Sequence, residues 1–362
     1  MPDAPPVRPD SAARAQIVGT GLIGASIGLA LRRRGWWVTG SDRDGRRTDA
    51  AHTLGAVDAV GRDADPAITF IATPAGSVVA EARRALEGPG AVTDVAGVKA
   101  PMAEGIIHPR FVGGHPMAGS EQVGAEGADA DLFVGATWVL CPTESTEAAA
   151  YTTVQSAVSS LGANVVALAA KQHDDVVALV SHVPHLTAAT LMNLAADSAV
   201  DERTLLRLAA GGFRDMTRIA AGHPGIWPDI CVENRHVILS VLDELTSALG
   251  EVRRVIAEAD RDGLLKLLER ARDARVNLPA GVFRGEQTVE ARMPVPYRPG
   301  VLAEVTTLLG SMAVNIYDLE IAHSAEGEGG VLVMVIDASA ADAVRQALAQ
   351  RGHRASFRPL GP

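Results

Sequence analysis

The sequence predicts an α/β nucleotide-binding domain, then a helical domain and a small α+β unit, and three observations carry that prediction. First, the apolar run Ala15-Gln16-Ile17-Val18 ends in Gly19-Thr20-Gly21-Leu22-Ile23-Gly24, with Ile23, Ile27, Ala30 and Leu31 following at helical spacing. Second, the periodicity turns helical from Lys171 onward. Third, the last segment alternates strand-like and helix-like patterns in the order βαββαβ. At 362 residues the chain exceeds one ordinary domain. The expected division is a disordered tail over 1–13, a Rossmann-type dinucleotide domain over 14–168, an all-α domain over 169–285 and a ferredoxin-like unit over 286–362.

Composition narrows the function classes. Hydrophobic residues at 47% and charged residues at 21% are those of a soluble globular protein. A formal net charge of -10 argues against nucleic acid and anionic membranes as partners and points to small metabolites. Only Cys141 and Cys231 are present, in unrelated contexts, so neither a disulfide framework nor a cysteine metal site is expected. A reducing cytoplasm fits, and no metal is expected. Prolines at positions 2, 5, 6 and 9 with no apolar run describe a loose tail rather than a signal peptide, and no later run is expected to span a bilayer.

In the first domain the G-x-G-x-x-G turn of Gly19, Gly21 and Gly24 lets backbone approach a pyrophosphate. The N–H groups and dipole of the helix starting at Leu22 and Ile23 stabilise its charge. Trp36 to Ser41 reads as the second strand, and Asp42 at its end is placed to accept hydrogen bonds from ribose hydroxyls, which favours NAD. Arg43 beside it is the group a 2′-phosphate would want. The same pattern also fits an α/β turn that binds nothing. Ala67 to Ala72 is a buried strand whose end, at Thr73-Pro74, is expected to border the nicotinamide. Gly90 to Val95 is another, followed by Ala96-Gly97-Val98-Lys99. Ligands in open α/β sheets sit beyond the carboxyl ends of strands, so Asp94 to Lys99 and Gly113 to Glu121 are expected to face one crevice. Gly135 to Cys141 and Asn164 to Leu168 are two more strands, joined by a helix from Ser145 to Leu161.

Within Gly113-Gly114-His115-Pro116-Met117-Ala118-Gly119-Ser120-Glu121, His115 is the candidate catalytic base. Its unperturbed pKa lies nearest neutrality, and flanking glycines would keep bulk away from an approaching substrate and cofactor ring. The alternative is a histidine capping a tight turn. In the helical half, Ser181-His182-Val183-Pro184-His185 interrupts the periodicity. A proline kink there, with histidines three apart, would aim both rings at the cleft, unless they merely hydrogen-bond across helices. A zinc pair is discounted for want of a third ligand. In Phe213-Arg214-Asp215-Met216-Thr217-Arg218, Arg218 has the planar fork that holds a carboxylate bidentately, though surface ion pairs are the usual fate of such arginines. The stripe Ile238, Val241, Leu242, Leu245, Leu249, Val252 and Ile256 predicts a homodimer built on this region.

With these residues in view, the chain resembles the prephenate/arogenate dehydrogenases of tyrosine biosynthesis followed by an ACT domain. The likeness rests on the Gly19–Gly24 turn, Gly114-His115-Pro116-Met117-Ala118-Gly119, Ser181 to His185, and Phe213 to Ala220 with Trp227. What it implies is an NAD-dependent oxidative decarboxylation of prephenate or arogenate. His115 matches the histidine that draws the proton from the ring hydroxyl at C4, Arg218 the arginine on a substrate carboxylate, and His185 a substrate-side histidine. Ser120 falls in the same stretch as His115 and is counted with the substrate residues. Glu121, Asp215 and Trp227 match residues lining or closing the pocket. The family usually carries serine where this chain has Gly97, so alignment of the reacting groups is expected to be looser. In the tail, Arg298-Pro299-Gly300-Val301-Leu302 and Asn315-Ile316-Tyr317-Asp318-Leu319 are similar to the ACT pattern. That implies a tyrosine or phenylalanine effector, with Pro299, Gly300, Asn315 and Asp318 as its contacts. Two other classes are weighed: a catalytically weak amino-acid sensor, favoured only by Gly97, and a β-hydroxyacid dehydrogenase, which the histidine among glycines fits poorly.

Overall fold

The Ala15–Val18 run becomes β1 (Arg14–Val18), an interior strand of the first sheet. It pairs in parallel with β2 (Trp37–Ser41) on one side and with β4 (Ile68–Ile71), buried along its whole length, on the other. With β3 (Ala59–Val60), β5 (Ala91–Asp94), β6 (Phe111–Pro116), β7 (Thr137–Cys141) and β8 (Asn164–Ala167), the order is β3-β2-β1-β4-β5-β6-β7-β8. All neighbours run parallel except β6 and β7, which are antiparallel from Gly113↔Cys141 to Pro116↔Trp138. In this computed structural model the described residues are 12–119, 122, 124–197, 211–276, 288–296, 298–323 and 329–359. Most of the expected tail, with Ser120 and Glu121, lies outside them.

Helices α1 (Leu22–Arg32), α2 (Gly45–Thr53), α3 (Ala75–Ala85), α4 (Ala100–Gly105) and α5 (Ala148–Ser160) belong to this sheet. The longer ones, α1, α3 and α5, each turn an apolar stripe inward. Ile17, Ile27, Leu31, Phe70, Phe133, Trp138, Leu140 and Val154 form one core, and the aromatic trio meets edge-on or tilted, with Phe133 and Trp138 at 5.1 Å. Full burial of such side chains contributes about 1.5–3 kcal/mol each.

Beyond β8 the chain is continuously helical from α6 (Ala170–Val177) through a π turn at Ala178–His182 into α7 (Val183–Ala196). The expected kink is thus a widened turn. Pro184 has no N–H for the carbonyl a turn earlier, and one extra residue per turn relieves the clash of its ring. The run Ala170–Ala196 spans 27 residues at mean hydropathy 1.2, long and apolar enough to cross a membrane by those criteria alone, contrary to expectation. Its His173, Asp174, His182 and His185 are buried inside the protein, and 33% of its apolar window is buried in all.

Next come α8 (Gly211–Thr217), a 3-10 turn at Arg218–Ala221, α9 (Trp227–Glu233), α10 (Arg235–Ala257) and α11 (Arg261–Val276). The predicted stripe of α10 divides. Ile238 is buried against Ala178 and Val183 with Val241, Leu242 and Leu245 beside it, whereas Leu249 and Ile256 are exposed.

The last segment is β9 (Thr288–Pro296), α12 (Val301–Ser311), β10 (Ile316–His323), β11 (Gly329–Asp337), α13 (Ala341–Gln350) and β12 (Ser356–Pro359). The antiparallel order β10-β11-β9-β12 is the ferredoxin-like arrangement expected from the pattern. Alternation in β9 sends Ala291, Met293 and Val295 inward onto Val305, Leu309, Leu332, Met334 and Leu348. By internal contacts the described chain forms two units. One runs to Ala195 and resumes over Thr217–Thr246; the other holds residues 196–197, 211–216 and those from Ser247 on.

Candidate active site

The site is built where β5 and β6 end side by side. Asp94, the last residue of β5, accepts Gly114 N–H at 3.0 Å on Oδ1 and Ala96 N–H at 3.0 Å on Oδ2. The Oδ2 atom is also paired with Lys99 Nζ, and both side chains are wholly buried. Asp94 was expected at the cofactor. With no exposed surface and both oxygens engaged, it instead ties β6 and the turn from Ala96 to Lys99 to the end of β5. A buried charge pair persists only where further donors satisfy it, as the two backbone N–H groups do here.

His115 lies on β6 itself, not in a glycine-opened turn. The glycine before it serves packing rather than access. A Cβ at Gly114 would come within 2.6 Å of Asp94 O and 2.7 Å of Thr93 Oγ1, so β6 could not approach β5 with any other residue there. Alternation along the strand then points the imidazole to the face opposite its neighbours. His115 Nδ1 is 2.8 Å from Nε2 of His173, and the two rings meet edge-on. His173 Nδ1 is in turn 2.7 Å from Asp174 Oδ1. Asp174 also accepts Lys99 N–H on Oδ1 at 2.7 Å and Ala100 N–H on Oδ2 at 2.8 Å, so α6 grips the start of α4. Burial, followed by unfavourable electrostatics between a charged His115 and its neighbours His173, Lys99 and His182, holds the His115 imidazole well below its ordinary pKa. At neutral pH the ring is uncharged and able to take a proton.

The free nitrogen of His115 faces Gly97. A Cβ on Gly97 would sit 3.7 Å from His115 Nε2 and 3.8 Å from Ile230 Cδ1, ordinary contact distances on both sides. Ile230 belongs to α9, whose first residue, Trp227, stacks on His185 at 3.6 Å and 14° and meets the edge of His182 at 6.2 Å. Burial lowers the pKa of His182 to about 4 and that of His185 in the same direction. Asn234, at the end of α9, points its Nδ2 to the Asp174 carbonyl at 3.1 Å and to His182 Nδ1 at 3.3 Å. Of the two histidines expected to face the cleft, His182 is thus an internal group, bonded across helices, while His185 carries the tryptophan.

Arg218 opens its 3-10 turn exposed and without a side-chain partner among the described residues. Gly222, one residue past that turn, passes within 3.6 Å of His185 Cε1 as measured from a Cβ built on it. Asp215 is exposed on α8, in the other unit. Ser120 and Glu121 fall outside the described residues.

At the dinucleotide end the glycines divide their work. Gly19 has φ +94 and a Cβ there would meet Ala72 O at 2.4 Å; at Gly24 it would meet Gly19 O at 1.9 Å. Gly21 has nothing within 4 Å and leaves the turn open. The first turn of α1, with Leu22 and Ile23, has no side-chain cap and no acidic residue, so its N–H groups and dipole face outward unopposed. Thr20 N–H binds Asp42 Oδ2 at 2.9 Å, and Asp42 Oδ1 accepts Asp44 N–H at 3.0 Å. Arg43 is exposed. Two buried hydroxyls here, Thr20 Oγ1 and Thr73 Oγ1, have no partner among the described residues, which fits a polar ligand running along this edge. In the tail, Pro299 and Gly300 line a groove of about 530 Å³ with Val295, Arg298 and Leu302. Asn315 and Asp318 are exposed on and before β10.

His173, Asp174, Asn234 and Ile230 were not anticipated. Lys171-Gln172-His173-Asp174-Asp175 reads as a solvated polar face, and nothing local reveals that its middle pair turns inward.

A mostly parallel sheet entered through a glycine turn, with a neutral histidine at the end of a neighbouring strand, is the frame of a nucleotide-dependent oxidoreductase. Two family models match in sequence order: "Prephenate dehydrogenase, nucleotide-binding domain" over residues 27–167 and "Prephenate dehydrogenase, dimerization domain" over residues 169–270. A prephenate dehydrogenase of Bacillus subtilis (strain 168) is 32% identical over 336 residues, 87% of this chain and 90% of that protein. The chain therefore belongs to the prephenate dehydrogenase family. The solved prephenate dehydrogenase from A. aeolicus in complex with hydroxyphenyl propionate and NAD+ superposes with TM-score 0.68 at 28% identity, covering 74% of this chain and 99% of that one. Synechocystis arogenate dehydrogenase does so with TM-score 0.62 at 31% identity, covering 72% and 98%.

Proposed function

We propose that this chain catalyses the NAD-dependent oxidative decarboxylation of prephenate to 4-hydroxyphenylpyruvate. The observation that carries the reading is His115 on β6, with Nδ1 engaged by His173 and Nε2 turned to the space beside Gly97. Bound NAD supplies the hydride acceptor. It would be held by the open backbone at Gly21, the start of α1 at Leu22 and Ile23, the Asp42 carboxylate at the ribose and the Thr73 hydroxyl at the edge of β4. His115 takes the proton of the C4 hydroxyl as the C4 hydrogen departs with its electron pair. Arg218, whose guanidinium has no other partner among the described residues, holds a substrate carboxylate as a bidentate fork. His185 under Trp227 forms the wall on that side; Ser120, Glu121 and Asp215 are the further substrate residues that the family resemblance implies. Loss of CO2 from C1 makes the ring aromatic and draws the reaction forward.

The likeness to the Synechocystis enzyme supports arogenate as the alternative substrate. Exposed Leu239, Leu249, Ile256, Leu265 and Leu268 on α10 and α11, with the dimerisation-domain match, support a homodimer. The three-part division at 14–168, 169–285 and 286–362 goes with it, as does a cytoplasmic location. The βαββαβ tail and its groove at Pro299-Gly300 support an ACT-type regulatory domain taking tyrosine or phenylalanine.

NADH formation with prephenate and arogenate, each with NAD and NADP, tests the reading. The prephenate–NAD pair is expected to give the highest kcat/KM. A chain that turns over neither substrate but binds tyrosine at the tail would be a sensor, and the proposal would fall.

A further inference from the structure

We infer that His173 and Asp174 are positioning residues that fix the proton of His115 on Nδ1, leaving Nε2 as the only basic nitrogen, and that this chain of groups is a closed store for the substrate's hydroxyl proton. The inference rests on the reading of His115 as the base. Asp174 is gripped by two backbone N–H groups, Lys99 N–H and Ala100 N–H, which only an acceptor can satisfy. Its remaining capacity on Oδ1 must be met by a donor, so His173 Nδ1, at 2.7 Å, carries a proton. With the one proton of the His173 ring assigned to Nδ1, its Nε2 is the acceptor, and His115 Nδ1, at 2.8 Å, donates to it. That leaves Nε2 of His115 unprotonated, facing Gly97. A histidine whose second nitrogen is bonded has its tautomer set by that bond.

The reaction makes a closed store sufficient. The C4–H bond breaks with its electron pair going to NAD, and the hydroxyl proton passes to His115 Nε2. When the C1–carboxylate bond breaks, its pair flows through the ring to the C4 oxygen, which takes the proton back as the phenol. The substrate loses two electrons as hydride, NAD gains them, CO2 departs, and no proton leaves the protein. A proton that returns to the same oxygen needs a resting place, not an exit. The chain ends inside the molecule: the His173 side chain has no exposed surface, Asp174 is 2% exposed, and both Asp174 oxygens are spoken for. The carboxylate at its end stabilises the imidazolium during the interval.

The test compares His173→Leu and His173→Gln with the parent enzyme in NADH formation from prephenate, alongside 15N–1H imidazole spectra of the parent protein, with the His115 signals assigned by their loss in His115→Asn. The parent is expected to show His115 protonated on Nδ1 alone. In His173→Leu, which removes the acceptor, kcat is expected to fall by about 100-fold or more with KM for prephenate within roughly threefold, as for other enzymes whose histidine loses its tautomer partner. His173→Gln, whose amide oxygen accepts from Nδ1–H, is expected to restore most of the rate. A His115 protonated on Nε2, an unchanged kcat in His173→Leu, or equal losses in both variants would overturn the inference. Should His173→Leu fail to fold, the tautomer of the parent enzyme decides alone. Full activity in His173→Leu with none in His115→Asn would sink the relay and spare the base, whereas activity in His115→Asn would sink the base itself.

Discussion

A single missing side chain sets the character of the site. Gly97 lies against the nitrogen on which the proposed chemistry depends, and the space around its α-carbon accepts a Cβ at ordinary distances. A serine there would therefore fold and would bring a hydroxyl to His115 Nε2 or to the substrate oxygen. Gly97→Ser is expected to raise kcat for prephenate by roughly tenfold, since fixing a reacting atom within about an ångström is worth that and more. Steady-state kinetics with both kcat and KM resolved check it; unchanged values for both would mean the position plays no part. At the same scale, His115 was legible as a type of residue in a suggestive setting, but its environment was not. The glycine before it suggested access, whereas Gly114 is required by the closeness of Asp94 O and Thr93 Oγ1 on the neighbouring strand. Asp94 was misplaced for the same reason. A carboxylate at a strand's end has one appearance in sequence whether it faces a ligand or a buried lysine five residues on.

Among elements, the glycine turn into α1 separates packing from binding cleanly enough to test. Gly24→Ala puts a methyl group 1.9 Å from Gly19 O, which nothing can relieve without moving the turn. Gly21→Ala meets nothing within 4 Å among the described residues. The expected outcome is a lowered Tm and lost NAD binding for Gly24→Ala, against an unchanged Tm with NAD affinity weakened roughly tenfold or more for Gly21→Ala, because backbone there must approach the pyrophosphate. Thermal melts and NAD titration measure both; equal stability losses would contradict the division. Elements with strong local patterns were readable. β1, β2, β4 and β9 follow their apolar runs closely, and the βαββαβ order of the tail was explicit. The antiparallel insertion of β7 and the π turn at Ala178–His182 were not, because strand direction and an extra residue in a turn are settled by what packs on them.

For the molecule as a whole, the proposed chemistry draws its groups from distant parts of the chain. His115 and His173 are 58 positions apart and share one hydrogen bond; Lys99 and Asp174 are 75 apart and share another. The site therefore exists only once α6 has docked on the sheet and α9 has closed over Gly97. Such pairings carry no local signature, which is why the candidate base was found from sequence and its partners were not. The most direct measurement is kcat for prephenate oxidation by His115→Asn at saturating NAD. Asparagine occupies a similar volume but has no basic nitrogen, so kcat is expected to fall by about 10³-fold or more with NAD affinity intact. A kcat within a few-fold of the parent enzyme would contradict the assignment of His115 as the base.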